Sequence, residues 1–207
     1  MADKPLVKSV YDDQDELLAA MVGLHSSGTV ECDPTFGRGL FYRYALEPPR
    51  LRFDLAPRCP GTVAADVQRL PLRDGAVGSV MFDPPFLDGA FTARRRNSTM
   101  AKKYSAVAGG VKDLLLFYEK GLKEIYRILK PRGTLYFKCQ DIVDGRGNTF
   151  VHVTIHDMAQ VVGFRPRDLF ILLAKSRPIQ YNLYKQVHAR KYHCYFWVFE
   201  KRKCRVK

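Results

Sequence analysis

The 207 residues, 46% of them hydrophobic, suffice for one domain with a sizeable core, so a single domain over 1–207 is expected, with little room for a second. Lys and Arg outnumber Asp and Glu by 34 to 21, a formal charge of +13 that suits a polyanionic partner and steers its approach. Five scattered cysteines without a C-x-x-C pair speak against zinc or a disulfide framework, and the charged start MADKPLVKSVYDDQDE and the lack of any run of about 20 apolar residues speak against a signal peptide or membrane span, so the chain is expected in the cytoplasm.

Along the chain, apolar pulses alternate with turn residues and helical stretches, the pattern of an α/β domain with a largely parallel sheet. Asp12 to Leu24 suits a first helix, acidic in its early turns, with Leu17, Leu18, Met21 and Val22 on one side. A short strand is predicted near Thr29 to Cys32. Gly39 to Leu46 reads as a helix stopped by Pro48-Pro49, followed by short strands at Leu51 to Asp54 and Val63 to Val67. SVMFDPPFLD, from Ser79, is the next strand and its end. After it, residues 87–110 lack helical or strand period, are rich in Gly, Ser, Ala and basic residues, and read as a long mobile loop. Val111 to Leu129 repeats apolar residues at helical spacing and stops at KPRG, where cations precede Pro and Gly. Thr134 to Cys139 is a predicted strand, His152 to Val162 a helix, and Leu169 to Ala174 and His193 to Glu200 the closing strands.

Acidic strand ends carry the chemistry. ECDPTFGRG places Asp33 at a strand end, with Gly37 and Gly39 at the expected mouth of a helix, where backbone can approach a ligand and unpaired N–H groups are on offer. The dinucleotide fingerprint is absent, since no third Gly follows at the right offset. Asp54 closes the next strand about twenty residues on, where an acidic side chain can take both hydroxyls of a ribose. Asp66 ends the third. Asp83 ends the fourth, followed by two prolines that stiffen the turn and by Phe86, a flat face. A carboxylate, a fixed carbonyl and a ring together suit a planar base that carries an amino group: two acceptors for its N–H groups and a stacking partner.

These two segments resemble the motifs of the S-adenosylmethionine-dependent amino-methyltransferases of nucleic acids. DPPF at Asp83 to Phe86 is similar to that family's D/N/S-P-P-Y/F/W catalytic motif, and DPTFGRG at Asp33 to Gly39 to its cofactor motif. The resemblance covers most of the chain and implies a Rossmann-like class I methyltransferase fold, a seven-stranded, mostly parallel sheet with its last strand antiparallel and helices on both faces. It implies S-adenosyl-L-methionine as cofactor. Asp33, Pro34, Thr35, Phe36, Gly37 and Gly39 would then line its methionine end, Asp54 its ribose, and Asp66 with Val67 its adenine. Asp83 and the Pro84 carbonyl would accept from the target amine, Pro85 would stiffen the turn, and Phe86 would stack on the base.

No region of domain size remains for target recognition. The candidates are Arg94, Arg95, Arg96, Lys102 and Lys103 in the 87–110 loop, and Arg190 and Lys191 in the basic segment LYKQVHARKYH, whose tyrosines suit a surface that tracks a strand. The favoured reading is a DNA adenine-N6 methyltransferase, monomeric or homodimeric. An RNA base methyltransferase and a catalytically silent nucleic-acid-binding subunit are the alternatives.

Overall fold

The computed structural model of the chain describes residues 6–86, 110–144, 147–175 and 187–203. A two-residue strand, β1 (Val10–Tyr11), leads into helix α1 (Gln14–His25). Asp13 starts that helix: its carboxylate accepts from the amides of Asp15 at 2.9 Å and Glu16 at 3.0 Å, two of the donors that a helix start leaves unpaired. Leu17, Leu18, Met21 and Val22 form the buried stripe, as their spacing predicts.

The chain then makes β2 (Cys32–Asp33) and, in place of the helix predicted over Gly39 to Leu46, a single 3₁₀ turn at Leu40–Tyr42. Aromatic residues favour a helix weakly, and Phe41 and Tyr42 are buried here, so a short turn that delivers both rings to the core prevails over the helical pattern. There is consequently no helix N-terminus at this position to offer amides to a ligand. Strands β3 (Leu51–Asp54) and β4 (Val63–Ala64) follow; Asp66 and Val67, predicted to complete the latter, lie in the turn beyond it.

β5 (Val77–Phe82) is nearly all buried, which explains its continuous apolar run. Helix α2 (Val111–Ile128) ends at the predicted stop, and the same residues open β6 (Leu129–Cys139). Gly133 is required there, because a Cβ would lie 2.8 Å from the Lys130 carbonyl oxygen and 3.1 Å from that of Gly78. A small hairpin that the sequence did not suggest, β7 (Ile142–Asp144) with β8 (Gly147–Thr149), precedes helix α3 (Val151–Val162). β9 (Phe164–Leu173) and β10 (His193–Lys201) close the chain. β9 begins five residues before its predicted start at Leu169; its charged first half, with Pro166, hides a strand that pairs with β10 along its length.

The main sheet has the order β1-β9-β10-β6-β5-β2-β3-β4. β10 runs antiparallel to both neighbours, as the resemblance implies, and β1 adds an eighth strand, parallel to β9, to the expected seven. The remaining pairings are parallel. Alternation along the central strands splits the core into two layers. Val80, Phe82, Leu135 and Phe137 pack with Tyr118, Leu122 and Ile125 of α2 and Ile155 of α3, whereas Met81, Tyr136 and Phe196 pack with α1 and the 3₁₀ turn. Among the described residues no helix is long and apolar enough to cross a membrane.

Candidate active site

Strands β2, β3 and β4 step outward to one side of the sheet, and β5 and β6 to the other, so the order reverses between β2 and β5. In open α/β sheets the crevice beyond the carboxyl ends at such a reversal is where ligands bind. Asp33 ends β2, and Asp83 follows the last residue of β5. The two motif segments therefore flank the switch point, and Thr35 joins them: its hydroxyl accepts from the Asp83 amide at 2.9 Å and donates to Asp33 Oδ1 at 3.2 Å.

Asp33 itself is only 2% exposed. Its Oδ1 also accepts from the Thr35 amide at 2.8 Å, and its Oδ2 from the Tyr42 hydroxyl at 2.8 Å. It braces the loop from behind rather than presenting an open face. Burial pushes its carboxyl up to about 7, with repulsion from Asp83 adding to the shift and the Thr35 and Tyr42 hydrogen bonds opposing it. An ordinary aspartate titrates near 4, so the folded protein holds this proton more tightly than the unfolded chain between about pH 4 and 7. The associated stability is complete below that window and is lost as pH rises through about 7. Asp33→Asn, which keeps the neutral shape, should therefore flatten the fall in melting temperature between about pH 5 and 8. Parallel curves for variant and wild type would contradict this origin of the shift.

Asp54, at the end of β3, accepts from the Gly37 amide at 2.8 Å on one oxygen and the Ala56 amide at 2.8 Å on the other. Two of about four acceptor sites are used, which leaves capacity for a pair of hydroxyls and fits a ribose. Gly37 and Gly39 both have positive φ, 57° and 64°. At Gly39 an added Cβ would also meet the Phe36 ring at 2.7 Å. Phe36, in turn, is buried and stacks on Tyr42 with centroids 5.5 Å apart, and Pro34 is buried beside it. Of the expected cofactor residues, Thr35 and Gly37 thus lie on one loop that Asp54 grips from the end of β3, while Asp33, Pro34 and Phe36 support it. Asp66 is exposed and caps its own turn by accepting from the Gln68 amide at 2.9 Å; Val67 is buried in the core under α2.

The D-P-P-F turn is held from two sides. The Asp83 amide is bound to Thr35, and the Pro85 carbonyl accepts from the hydroxyl of Tyr118 on α2. Burial drives the Tyr118 phenol well above its usual range, so it stays a donor. The Pro85 carbonyl is thereby engaged; the Pro84 carbonyl is the one that the resemblance expects to meet the target amine. Tyr118→Phe leaves a carbonyl without its donor and should cost about 1 to 3 kcal/mol of stability, measured by denaturant unfolding. Loss of less than about 0.5 kcal/mol would show that the latch contributes only packing.

One residue of the crevice escaped the sequence reading. Lys138, near the carboxyl end of β6, puts Nζ 3.9 Å from Asp83 Oδ1 and 5.4 Å from the centre of the Phe86 ring. The rings of Phe41 and Phe196 lie 4.7 and 5.4 Å away on the same face. Its only signal was period: Lys138 shares a strand face with Tyr136, a position reserved for the core. Phe86, Lys138, Gln140 and His193 line a cavity of about 220 Å³. Behind it, His193 Nε2 lies 2.8 Å from the Tyr195 hydroxyl, which donates to Asp141 Oδ2 at 3.4 Å, and Asp141 Oδ1 lies 2.7 Å from His152 Nδ1. A larger cleft of about 390 Å³ between α2 and α3 takes no residue from either motif.

Arg190 and Lys191 lie over the rings of Tyr192 and Phe150, at 5.8 and 5.5 Å. Arg94, Arg95, Arg96, Lys102 and Lys103 lie outside the described residues, as does the expected mobile loop apart from Gly110.

No family model and no curated protein matches the sequence. In structure the chain is similar to the 1,6-didemethyltoxoflavin-N1-methyltransferase of Burkholderia thailandensis, solved with 1,6-didemethyltoxoflavin and S-adenosylhomocysteine, at TM-score 0.54 and 16% identity over 93% of this chain and 80% of that one. It is similar to a protein described as a methyltransferase, solved in complex with the Haloferax volcanii Trm112 methyltransferase activator, at TM-score 0.50 and 13% identity over 86% and 84% of the two chains. TrmN from Thermus thermophilus gives TM-score 0.50 and 16% identity over 90% of this chain and 48% of that one. A protein described as a DNA modification methylase, also from Thermus thermophilus, aligns at TM-score 0.46 and 17% identity over 76% of this chain, which spans about half, 55%, of its length. The chain has the Rossmann-like class I fold of S-adenosylmethionine-dependent methyltransferases.

Proposed function

We propose that the protein transfers a methyl group from S-adenosylmethionine to an exocyclic amino group of a base in nucleic acid, with adenine N6 in DNA as the favoured target. The observation that carries this reading is the joint at the switch point, where one hydroxyl, that of Thr35, ties the backbone of Asp83 to the loop whose Gly37 amide donates to Asp54. A loop suited to the cofactor and a turn suited to an amine are thereby held in one crevice.

When bound, S-adenosylmethionine would supply an electrophilic methyl on a sulfonium. Asp54 would hold its ribose, and the Thr35 to Gly39 loop would pass beside it. An exocyclic amine is a weak nucleophile because its lone pair is delocalised into the ring. Asp83 and the Pro84 carbonyl, accepting from its two N–H groups, draw the nitrogen toward tetrahedral geometry and free that pair. Once methylated, the nitrogen would give up a proton, for which the Asp83 carboxylate would be the adjacent acceptor. Catalysis of this kind is mainly positioning and electrostatic stabilisation of positive charge developing on nitrogen. Phe86 would stack on the base, offsetting part of the few kcal/mol that its removal from a duplex costs. The surplus of 13 positive charges suits the phosphate backbone.

Transfer of tritiated methyl to unmethylated duplex DNA, single-stranded DNA and structured RNA tests the proposal. DNA should be labelled in preference. Preferential labelling of RNA would move the target to the other polymer, and no label on any of them would refute the reading.

A further inference from the structure

Lys138 is the cation of the candidate pocket, and its surroundings are unusual for one. Its side chain is 12% exposed. Rings of Phe41, Phe86 and Phe196 stand around the ammonium at 4.7, 5.4 and 5.4 Å, and Phe196 is its cross-strand partner in the β6–β10 ladder. An ammonium has three donors. Among the described residues its polar neighbours are Gln14 Oε1 at 3.5 Å and Asp83 Oδ1 at 3.9 Å, the first at the limit of a hydrogen bond and the second beyond it. Aromatic faces attract the cation and accept its N–H groups only weakly. The rings thus fix the charge in place while leaving it able to donate to a stronger acceptor, and they fix it beside Asp83.

We infer that Lys138 reads the ring nitrogen next to the amine that receives the methyl group. This rests on the proposed function. Asp83 and Lys138 present an acceptor and a donor side by side, the same order in which an asparagine or glutamine carboxamide meets adenine through its amino group and neighbouring ring nitrogen. At 3.9 Å the two form an ion pair without a direct hydrogen bond, a spacing that a base edge can bridge. The amino group donates to Asp83, and an unprotonated ring nitrogen beside it accepts from Lys138. Adenine N6 and cytosine N4 meet that requirement on the Watson–Crick edge. On that edge guanine sets an N1–H donor beside its N2 amine, which would face the ammonium, and the one unprotonated neighbour of that amine is N3 on the opposite side. Lys138 is thus a specificity-determining residue that requires an unprotonated ring nitrogen beside the amine.

The test uses a DNA duplex whose methylated base has been located by nucleoside mass spectrometry, and single-turnover rates for wild type and Lys138→Met. Met keeps the apolar stem among the rings but removes the donor. At an adenine target, 1-deazaadenine and 7-deazaadenine each replace one candidate acceptor by C–H; at a cytosine target, 3-deazacytosine serves. Wild type should lose about 10- to 100-fold on one analogue. Lys138→Met should lose about as much on the natural base and little more on that analogue. Multiplying losses, or insensitivity of wild type to every analogue, would overturn the inference while leaving amine methylation standing. Transfer to no nucleic acid would overturn the proposed function and this inference with it. Cofactor titration confirms that Lys138→Met is folded, and if it is not, the wild-type analogue rates decide alone.

Discussion

Asp83→Ala should reduce methyl transfer by at least about 100-fold, the scale of losing one preorganised group that meets charge in a transition state. On the proposed function, the substitution would remove the acceptor that points the amine's lone pair and receives its proton. Cofactor affinity should change little, because the groups suited to the cofactor end β2 and β3, whereas Asp83 follows β5. The fold should survive, since two backbone ties of this turn persist without the side chain: the Asp83 amide on Thr35 and the Pro85 carbonyl on Tyr118. Phe86→Ala should lose about 1 to 3 kcal/mol of base stacking, and Phe86→Tyr or Phe86→Trp should retain much of the activity because each keeps a π-face. The comparison needs the melting temperature, the cofactor dissociation constant and the transfer rate on the same preparation. Near wild-type turnover per folded molecule would reduce Asp83 to a turn residue.

Asp54→Ala should weaken cofactor binding by about 1 to 3 kcal/mol, roughly ten- to a hundredfold in the dissociation constant by calorimetry. Two effects act together. The carboxylate would lose its charge-assisted bonds to a ribose, and the Gly37 amide, held at 2.8 Å, would lose the partner that shapes the loop. An unchanged dissociation constant would place the ribose elsewhere.

Much of this site was legible in the sequence because its carriers are local. A buried strand reads as an unbroken apolar run, so the end of β5 at Phe82 marks Asp83, and Asp54 ends its strand at the predicted residue. The 3₁₀ turn at Leu40–Tyr42 was hidden because the pattern records that Phe41 and Tyr42 are apolar but not that burying both rings leaves no room for a helix. β1 was missed for a different reason. Two residues carry no period, and only pairing of Val10 and Tyr11 with Ile171 and Leu172 makes them a strand. Lys138 became a pocket residue only when Phe41, Phe86 and Phe196 arrived from three separate segments. The Asp141, His152, Tyr195 and His193 chain likewise joins residues up to 54 positions apart, a distance that no spacing rule bridges.

The central claim, that the crevice between β2 and β5 methylates the amino group of a base, is tested most directly by the chemical identity of the product. Unmethylated DNA is incubated with the protein and S-adenosylmethionine carrying a deuterated methyl group, digested to nucleosides and analysed by mass spectrometry. The account predicts the trideuteromethyl group on an exocyclic nitrogen, N6-methyl-2′-deoxyadenosine first, with the signal absent for Asp83→Ala. Label on a ring carbon or ring nitrogen, or equal label from Asp83→Ala, would contradict it.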